Sequence, residues 1–242
     1  MKTLVVANQK GGVGKTALVV HLAYYFAEKG KKVAVIDLDA QGNASFSLRG
    51  EKKKSSSADL FKEEPIATEK EERSIQVWYS DPKLVNLDSN IITERFCENT
   101  KLIDSDICVI DTAPSLGWKL ISALCAADYV ISPIELEAYS IQGIRLMLQT
   151  IFSVRNKNRN LKFLGMLPSR VDNRNPRHKI HLEELKKAYK DQIFPAEIGL
   201  RSSIADALAL GFPVWKIKKT AARKAANEVR NVAENIFNQI HA

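Results

Sequence analysis

The sequence predicts an α/β domain: a mostly parallel, twisted β-sheet with helices on both faces. Three observations predict it. Short β-branched runs alternate with longer helical patterns. The run Val33–Asp37 is apolar without polar alternation, as a strand buried on both faces is. A glycine-rich turn separates the first strand from the first helix. At 242 residues, 45% hydrophobic and 26% charged, the chain fits one domain over residues 1–242.

Taken in order, Thr3–Ala7 reads as the first strand, followed by a glycine loop and a helix through about Lys29, which Gly30 stops. Val33–Asp37, Ile107–Asp111, Tyr129–Ile134 and Phe163–Leu167 read as further strands. Leu116–Ala127 and Ile141–Arg155 read as helices between them. The stretch from about 50 to 72 differs: it holds Lys52-Lys53-Lys54, Ser55-Ser56-Ser57 and the start of a mixed-charge run from Glu69 to Arg73. It reads as a mobile surface insertion, with a partner-binding segment as the alternative. Residues 219–240 read as one terminal helix. No internal repeat is visible.

Composition narrows the chemistry. The three cysteines, Cys97, Cys108 and Cys125, form no C-x-x-C pair, which argues against a disulfide framework, a zinc site or an iron–sulfur cluster. They read as buried free thiols. His178 and His181 read as surface residues, lacking a third ligand nearby. Neither G-x-S-x-G nor H-E-x-x-H occurs. The first apolar run, Leu4 to Ala7, is too short for a signal-peptide core, and no run approaches a membrane span. The expectation is a cytoplasmic chain with no stable membrane insertion. A net charge of +8 points to a polyanionic partner, either nucleic acid or an anionic membrane surface.

The decisive segment is Lys10-Gly11-Gly12-Val13-Gly14-Lys15-Thr16, directly after a strand and directly before a helix. Glycines let backbone N–H groups turn inward around phosphates, and the helix presents its N-terminus to the anion. Gly11, Gly12, Val13, Gly14, Lys15, Thr16 and Ala17, with Lys10, form the expected nucleotide-binding run. Lys15 is expected on the β- and γ-phosphates and the Thr16 hydroxyl on Mg²⁺. Together with the strand pattern this makes the fold class a single-domain P-loop NTPase. Asp111 ends an apolar strand, where a carboxylate can serve the magnesium shell or cap a following helix. Asp37 and Asp39 follow another strand, and alternation places both on one side of an extended backbone. One of them can orient or deprotonate an attacking water; an Asx-rich turn is the other reading.

These motifs resemble one family. Lys10 to Thr16, then Asp37-x-Asp39-x-Gln41-Gly42-Asn43, then Ile110-Asp111-Thr112-Ala113-Pro114-Ser115-Leu116-Gly117, are similar in order and spacing to the ParA/MinD deviant Walker A ATPases. Weaker similarity runs from Arg201 through Gly211-Phe212-Pro213-Val214 to the terminal helix. The likeness is greatest to short ParA-type partition ATPases. It implies ATP and ADP as ligands, Mg²⁺, and an ATP-dependent sandwich homodimer in which Lys10 reaches the partner's nucleotide. It implies catalytic roles for Lys10, Lys15 and Asp39, and magnesium support from Thr16, Asp39 and Asp111. It further implies non-specific DNA binding, nucleoid association in the ATP state, and a ParB-like centromere-binding partner that stimulates a slow hydrolysis, driving plasmid or chromosome segregation. Two departures stand out: Asp111-Thr112-Ala113-Pro114 replaces Asp-x-Pro-Pro, and Ala17 replaces a second threonine. The region around Lys216–Arg223 does not align residue by residue, so adenine contacts are not carried over.

For DNA the candidates are Arg201, Lys216, Lys218, Lys219, Arg223 and Lys224, suited to phosphate contacts without base readout. The alternative is a MinD-like membrane-associated or protein-cargo-positioning ATPase. Val229, Val232, Ile236, Phe237 and Ile240 do form an apolar stripe in the tail, but few cations border it near the end. A core-facing terminal helix fits that pattern better.

Overall fold

A computed structural model describes residues 1–66, 74–87, 93–136 and 140–242. Its strands are β1 (Lys2–Val6), β2 (Val33–Asp37), β3 (Lys52–Ser56), β4 (Ile75–Tyr79), β5 (Ile107–Asp111), β6 (Tyr129–Ile134) and β7 (Lys162–Pro168). All pair in parallel, in the order β3-β4-β2-β5-β1-β6-β7. The helices are α1 (Lys15–Glu28), α2 (Asn43–Ser47), α3 (Lys83–Asn86), α4 (Thr93–Lys101), α5 (Trp118–Ala126), α6 (Ser140–Val154), α7 (Pro176–Ala188), α8 (Ser202–Leu210) and α9 (Thr220–His241).

The unbroken apolar strands are explained by their two covered faces. Leu4 and Val6 of β1, with Ile107 and Val109 of β5, join one core with α1 and α9. Val5, Cys108 and Ile110 point the opposite way and join a second core with α5 and α6. Alternation along each strand thus feeds apolar side chains to both layers. β1 lies between β5 and β6, so the chain leaves its carboxyl end at the point where successive strands turn to opposite sides of the sheet. In an open parallel sheet that crevice is where ligands bind.

The stretch expected as a mobile insertion is corrected over its described part. Residues 52–56 pair with β4 as the edge strand, and a 3-10 turn at Ser57–Phe61 buries Leu60 and Phe61. Phe61 stacks on Phe96 of α4 at 4.6 Å, so apolar burial anchors what charge alone made look detached. Residues 67–73 of that region lie outside the described residues. β4 is a strand beyond those expected, and Ile75-Gln76-Val77-Trp78-Tyr79 is rich in strand-forming residues. Of the cysteines, only Cys108 is fully buried, while Cys97 and Cys125 are half-buried free thiols.

The terminal helix turns its apolar stripe inward. Val229, Val232, Ile236 and Ile240 are buried, and Phe237 packs against Tyr25 and Phe26 of α1. Among the described residues no helix is long and apolar enough to cross a membrane.

Candidate nucleotide site

The glycine loop leaves β1 and turns into α1. Gly12 and Gly14 have φ of 77° and 95°, a left-handed conformation that side chains with a Cβ disfavour. Neither a capping side chain nor an acidic residue occupies the first turn of α1, so its N–H groups face the loop's concavity. Lys15 is buried, and its Nζ donates to the Lys10 carbonyl at 3.0 Å, folding back across the loop. Burial holds its ammonium below the usual lysine range, while Asp111 and Asp39 pull in the opposite sense.

Beneath the loop, Thr16 Oγ1 donates to Asp111 Oδ2 at 2.7 Å. Asp111 Oδ1 is buried without a hydrogen-bond partner. Asp37 stands directly across from Asp111 on the neighbouring strand. Burial, and then the adjacent Asp37, push the Asp111 carboxyl well above the usual carboxylate range; the Thr16 bond opposes that shift. Two buried carboxylates side by side, one with an orphaned oxygen, are a donor set that a divalent cation completes. Mg²⁺ fits here, with Asp111 and Thr16 as the residues that would hold it.

The two aspartates, one ending β2 and the other two residues beyond it, take different partners around the same site. Asp37 Oδ2 accepts from both the backbone N–H and the hydroxyl of Ser45, at 2.8 and 2.7 Å, and so anchors α2. Asp39 is half-buried and lines the cavity. Its Oδ1 also accepts the Gln41 N–H at 3.0 Å, so the Asx-turn and the cavity-facing readings describe the same residue. The helix-cap reading of Asp111 has no counterpart in α5, which starts at Trp118 with Gly117 as its cap.

The loop opens into a cavity of about 520 Å³ lined by Gly11, Gly12, Gly14, Lys15, Thr16 and Ala17. Val13 is buried behind it. The opposite wall is apolar: Ile198, Leu200, Ile204 and Leu208, with Phe46 of α2. This wall is held in place because Val171 donates to the Ile198 carbonyl and Ile198 to the Pro168 carbonyl, extending the sheet edge past β7. The only trace in the sequence is the run Ile198-Gly199-Leu200 just before Arg201. A polar, glycine-lined end and an apolar end suit a phosphate tail and a planar base respectively.

Lys10 does not line this cavity. Its Nζ meets Glu135 Oε2 at 3.0 Å, and Glu135 Oε1 also accepts from Arg170 Nε at 3.3 Å. The DNA candidates separate into two places. Lys216, Lys218, Lys219, Arg223 and Lys224 are exposed together on the connection into α9 and its first turns. Arg201 instead sits in the cavity wall, where its Nη2 and Nε meet Glu228 at 2.7 and 3.2 Å. Its charge is thereby matched within the fold, which removes it from the exposed basic group.

Comparison with known proteins agrees with this geometry. A family model described as an AAA domain matches residues 1–163. The chain is 53% identical over 255 residues to Protein IncC of Escherichia coli, spanning 99% of this chain and 70% of that protein. It is 30% identical over 229 residues to the chromosome partitioning protein ParA of Myxococcus xanthus, spanning 88% and 80% of the two chains. Among solved structures, cobyrinic acid a,c-diamide synthase from Mycobacterium smegmatis, with a bound ATP analog and magnesium, superimposes with a TM-score of 0.77 at 27% identity, covering 99% and 95%. The chain therefore belongs to the ParA/MinD family of P-loop partition ATPases.

Proposed function

We propose that this protein is a ParA-type ATPase that dimerises on binding ATP, binds DNA without sequence preference, and hydrolyses ATP to drive plasmid or chromosome segregation. The observation that carries the ATPase reading is the Thr16–Asp111 contact beneath the glycine loop, with Asp111 Oδ1 left orphaned. The partition reading is supported by the likeness to IncC and ParA.

In this reading Lys15 and the loop amides bind and neutralise the β- and γ-phosphates. Thr16 and Asp111 would hold magnesium, which would supply charge neutralisation at the phosphate oxygens. Asp39, at the cavity rim, orients the attacking water and accepts its proton. Lys10, which lies outside its own cavity, supplies its charge to the nucleotide of a second copy, making turnover depend on the dimer. Loss of the γ-phosphate then relaxes the segment from Asp37 to Asn43. Lys216, Lys218, Lys219, Arg223 and Lys224 supply phosphate contacts on DNA. A ParB-like partner accelerates a slow basal turnover. The membrane alternative loses its support because the apolar stripe of α9 is packed inside the fold.

Sedimentation with ATP·Mg²⁺ and with ADP, alongside turnover, tests this. The wild type is expected to dimerise with ATP alone, and Lys10→Ala to uncouple dimerisation from hydrolysis. Unchanged ATP-driven dimerisation and turnover in Lys10→Ala would reject the role given to Lys10.

A further inference from the structure

The segment that carries the exposed lysines is tied to α1 at three points. Tyr24 Oη donates to the Gly211 carbonyl at 2.8 Å. The Val214 N–H donates to His21 Nε2 at 3.1 Å. The Trp215 indole N–H donates to Glu28 Oε1 at 2.7 Å, and Arg230 of α9 holds the other oxygen of that carboxylate at 3.1 Å while lying over the Trp215 ring. Lys216, Lys218 and Lys219 follow directly.

The other end of α1 is the phosphate site. Lys15 and Thr16 are its first residues, and the helix runs roughly 20 Å from there to Glu28. His21 is buried in the cavity wall and bonds at both ring nitrogens. The Ala17 carbonyl, 2.7 Å from Nδ1, can only accept, and the Val214 N–H can only donate. The ring is therefore neutral, with its proton on Nδ1. Its burial, which lowers the imidazole's proton affinity, agrees with that state. The histidine thus joins Ala17, a cavity-lining residue, to Val214, at the root of the basic segment.

We propose that α1 is the element that makes DNA binding depend on the nucleotide, with Tyr24, His21 and Glu28 as positioning residues that set the basic segment at Val214–Lys219. The inference rests on the DNA-binding reading above and adds its regulation. A shift of α1 that follows the occupant of the glycine loop is passed to Val214 and Trp215 directly and to Gly211 just before them, so the lysines move with the helix rather than independently of it. Coupling of this kind requires that the two sites bias the same element.

Tyr24→Phe removes the hydroxyl bonded to Gly211 together with its hydrogen bond to Glu51, and Trp215→Phe, the cleaner test, removes the indole N–H bonded to Glu28. Neither side chain lines the cavity. DNA affinity is measured with ATP and with ADP, nucleotide affinity separately, and hydrogen exchange at the amides of Val214–Lys219 with each nucleotide. The ATP-to-ADP ratio of DNA affinities is expected to fall about two- to tenfold in each variant, the worth of one such hydrogen bond, with nucleotide affinity unchanged. Exchange in Val214–Lys219 is expected to respond to ATP in the wild type and to lose that response in the variants. An affinity ratio and an exchange response matching the wild type in both variants would overturn the proposal, leaving dimerisation to account for any nucleotide dependence. A wild type that binds no DNA in any state would defeat the DNA-binding reading, while the exchange response would still decide whether α1 moves the segment.

Discussion

Acidification and the change His21→Gln together measure what keeping the buried His21 ring neutral contributes to the stability of the fold. Burial lowers the His21 pKa from 6.5 to about 4. A protonated ring cannot accept the Val214 N–H, so charging it breaks that bond as well. The folded value lies below the unfolded one, so the stabilisation is complete above pH 6.5 and is lost as pH falls toward 4. At 1.36 kcal/mol per pKa unit the loss comes to about 3 kcal/mol. For a chain of this size that corresponds to a melting shift of roughly 6–12 °C. Gln does not titrate, and its amide oxygen can accept the same N–H. Urea unfolding of wild type and His21→Gln from pH 7.5 to 4 isolates the term, since the carboxylates titrate in both proteins. The wild-type stability minus that of His21→Gln is expected to decline by about 3 kcal/mol across the range. A difference that stays constant with pH would refute the argument.

The other predictions concern the site itself. Asp39→Ala is expected to retain ATP binding and dimerisation while turnover falls about 10²-fold or more, read by phosphate release; undiminished turnover would reject its assignment. Asp111→Asn is expected to lose magnesium-dependent ATP binding in titration calorimetry, yet to melt several degrees higher in chelator, because one of two adjacent buried carboxylates is gone. Lys218→Ala with Lys219→Ala is expected to weaken DNA binding across all sequences and to reduce the slope of log affinity against log salt by about 2, checked by fluorescence anisotropy.

What the sequence made legible was local or contiguous. β2, β5 and β6 are legible to the residue because strands buried on both faces are apolar along most of their length, broken here only by Ser132 and Pro133 and by the terminal Asp37 and Asp111. The glycine loop was legible because its contacts come from consecutive backbone amides and from the residues just after them. β3 was not, because an edge strand has one free side, and Lys52-Lys53-Lys54 is the polar sequence that protects such an edge. The apolar cavity wall was hidden for a different reason. Ile198, Leu200 and Ile204 reach the site through the pairing of residues 198–200 with Pro168 and Val171 beside β7, which no local pattern encodes. Arg201 shows the same limit: its charge was visible, but its partner Glu228 lies 27 residues away and is brought to it by α9.

A ParA-type switch grips DNA in one nucleotide state and releases it in the other. Binding of the wild-type protein to random-sequence duplex DNA with ATP·Mg²⁺, with ADP and without nucleotide, over a salt series, tests it most directly. Tight binding is expected with ATP alone, falling steeply as salt rises. Binding equally strong in all three states, or absent from all of them, would contradict it.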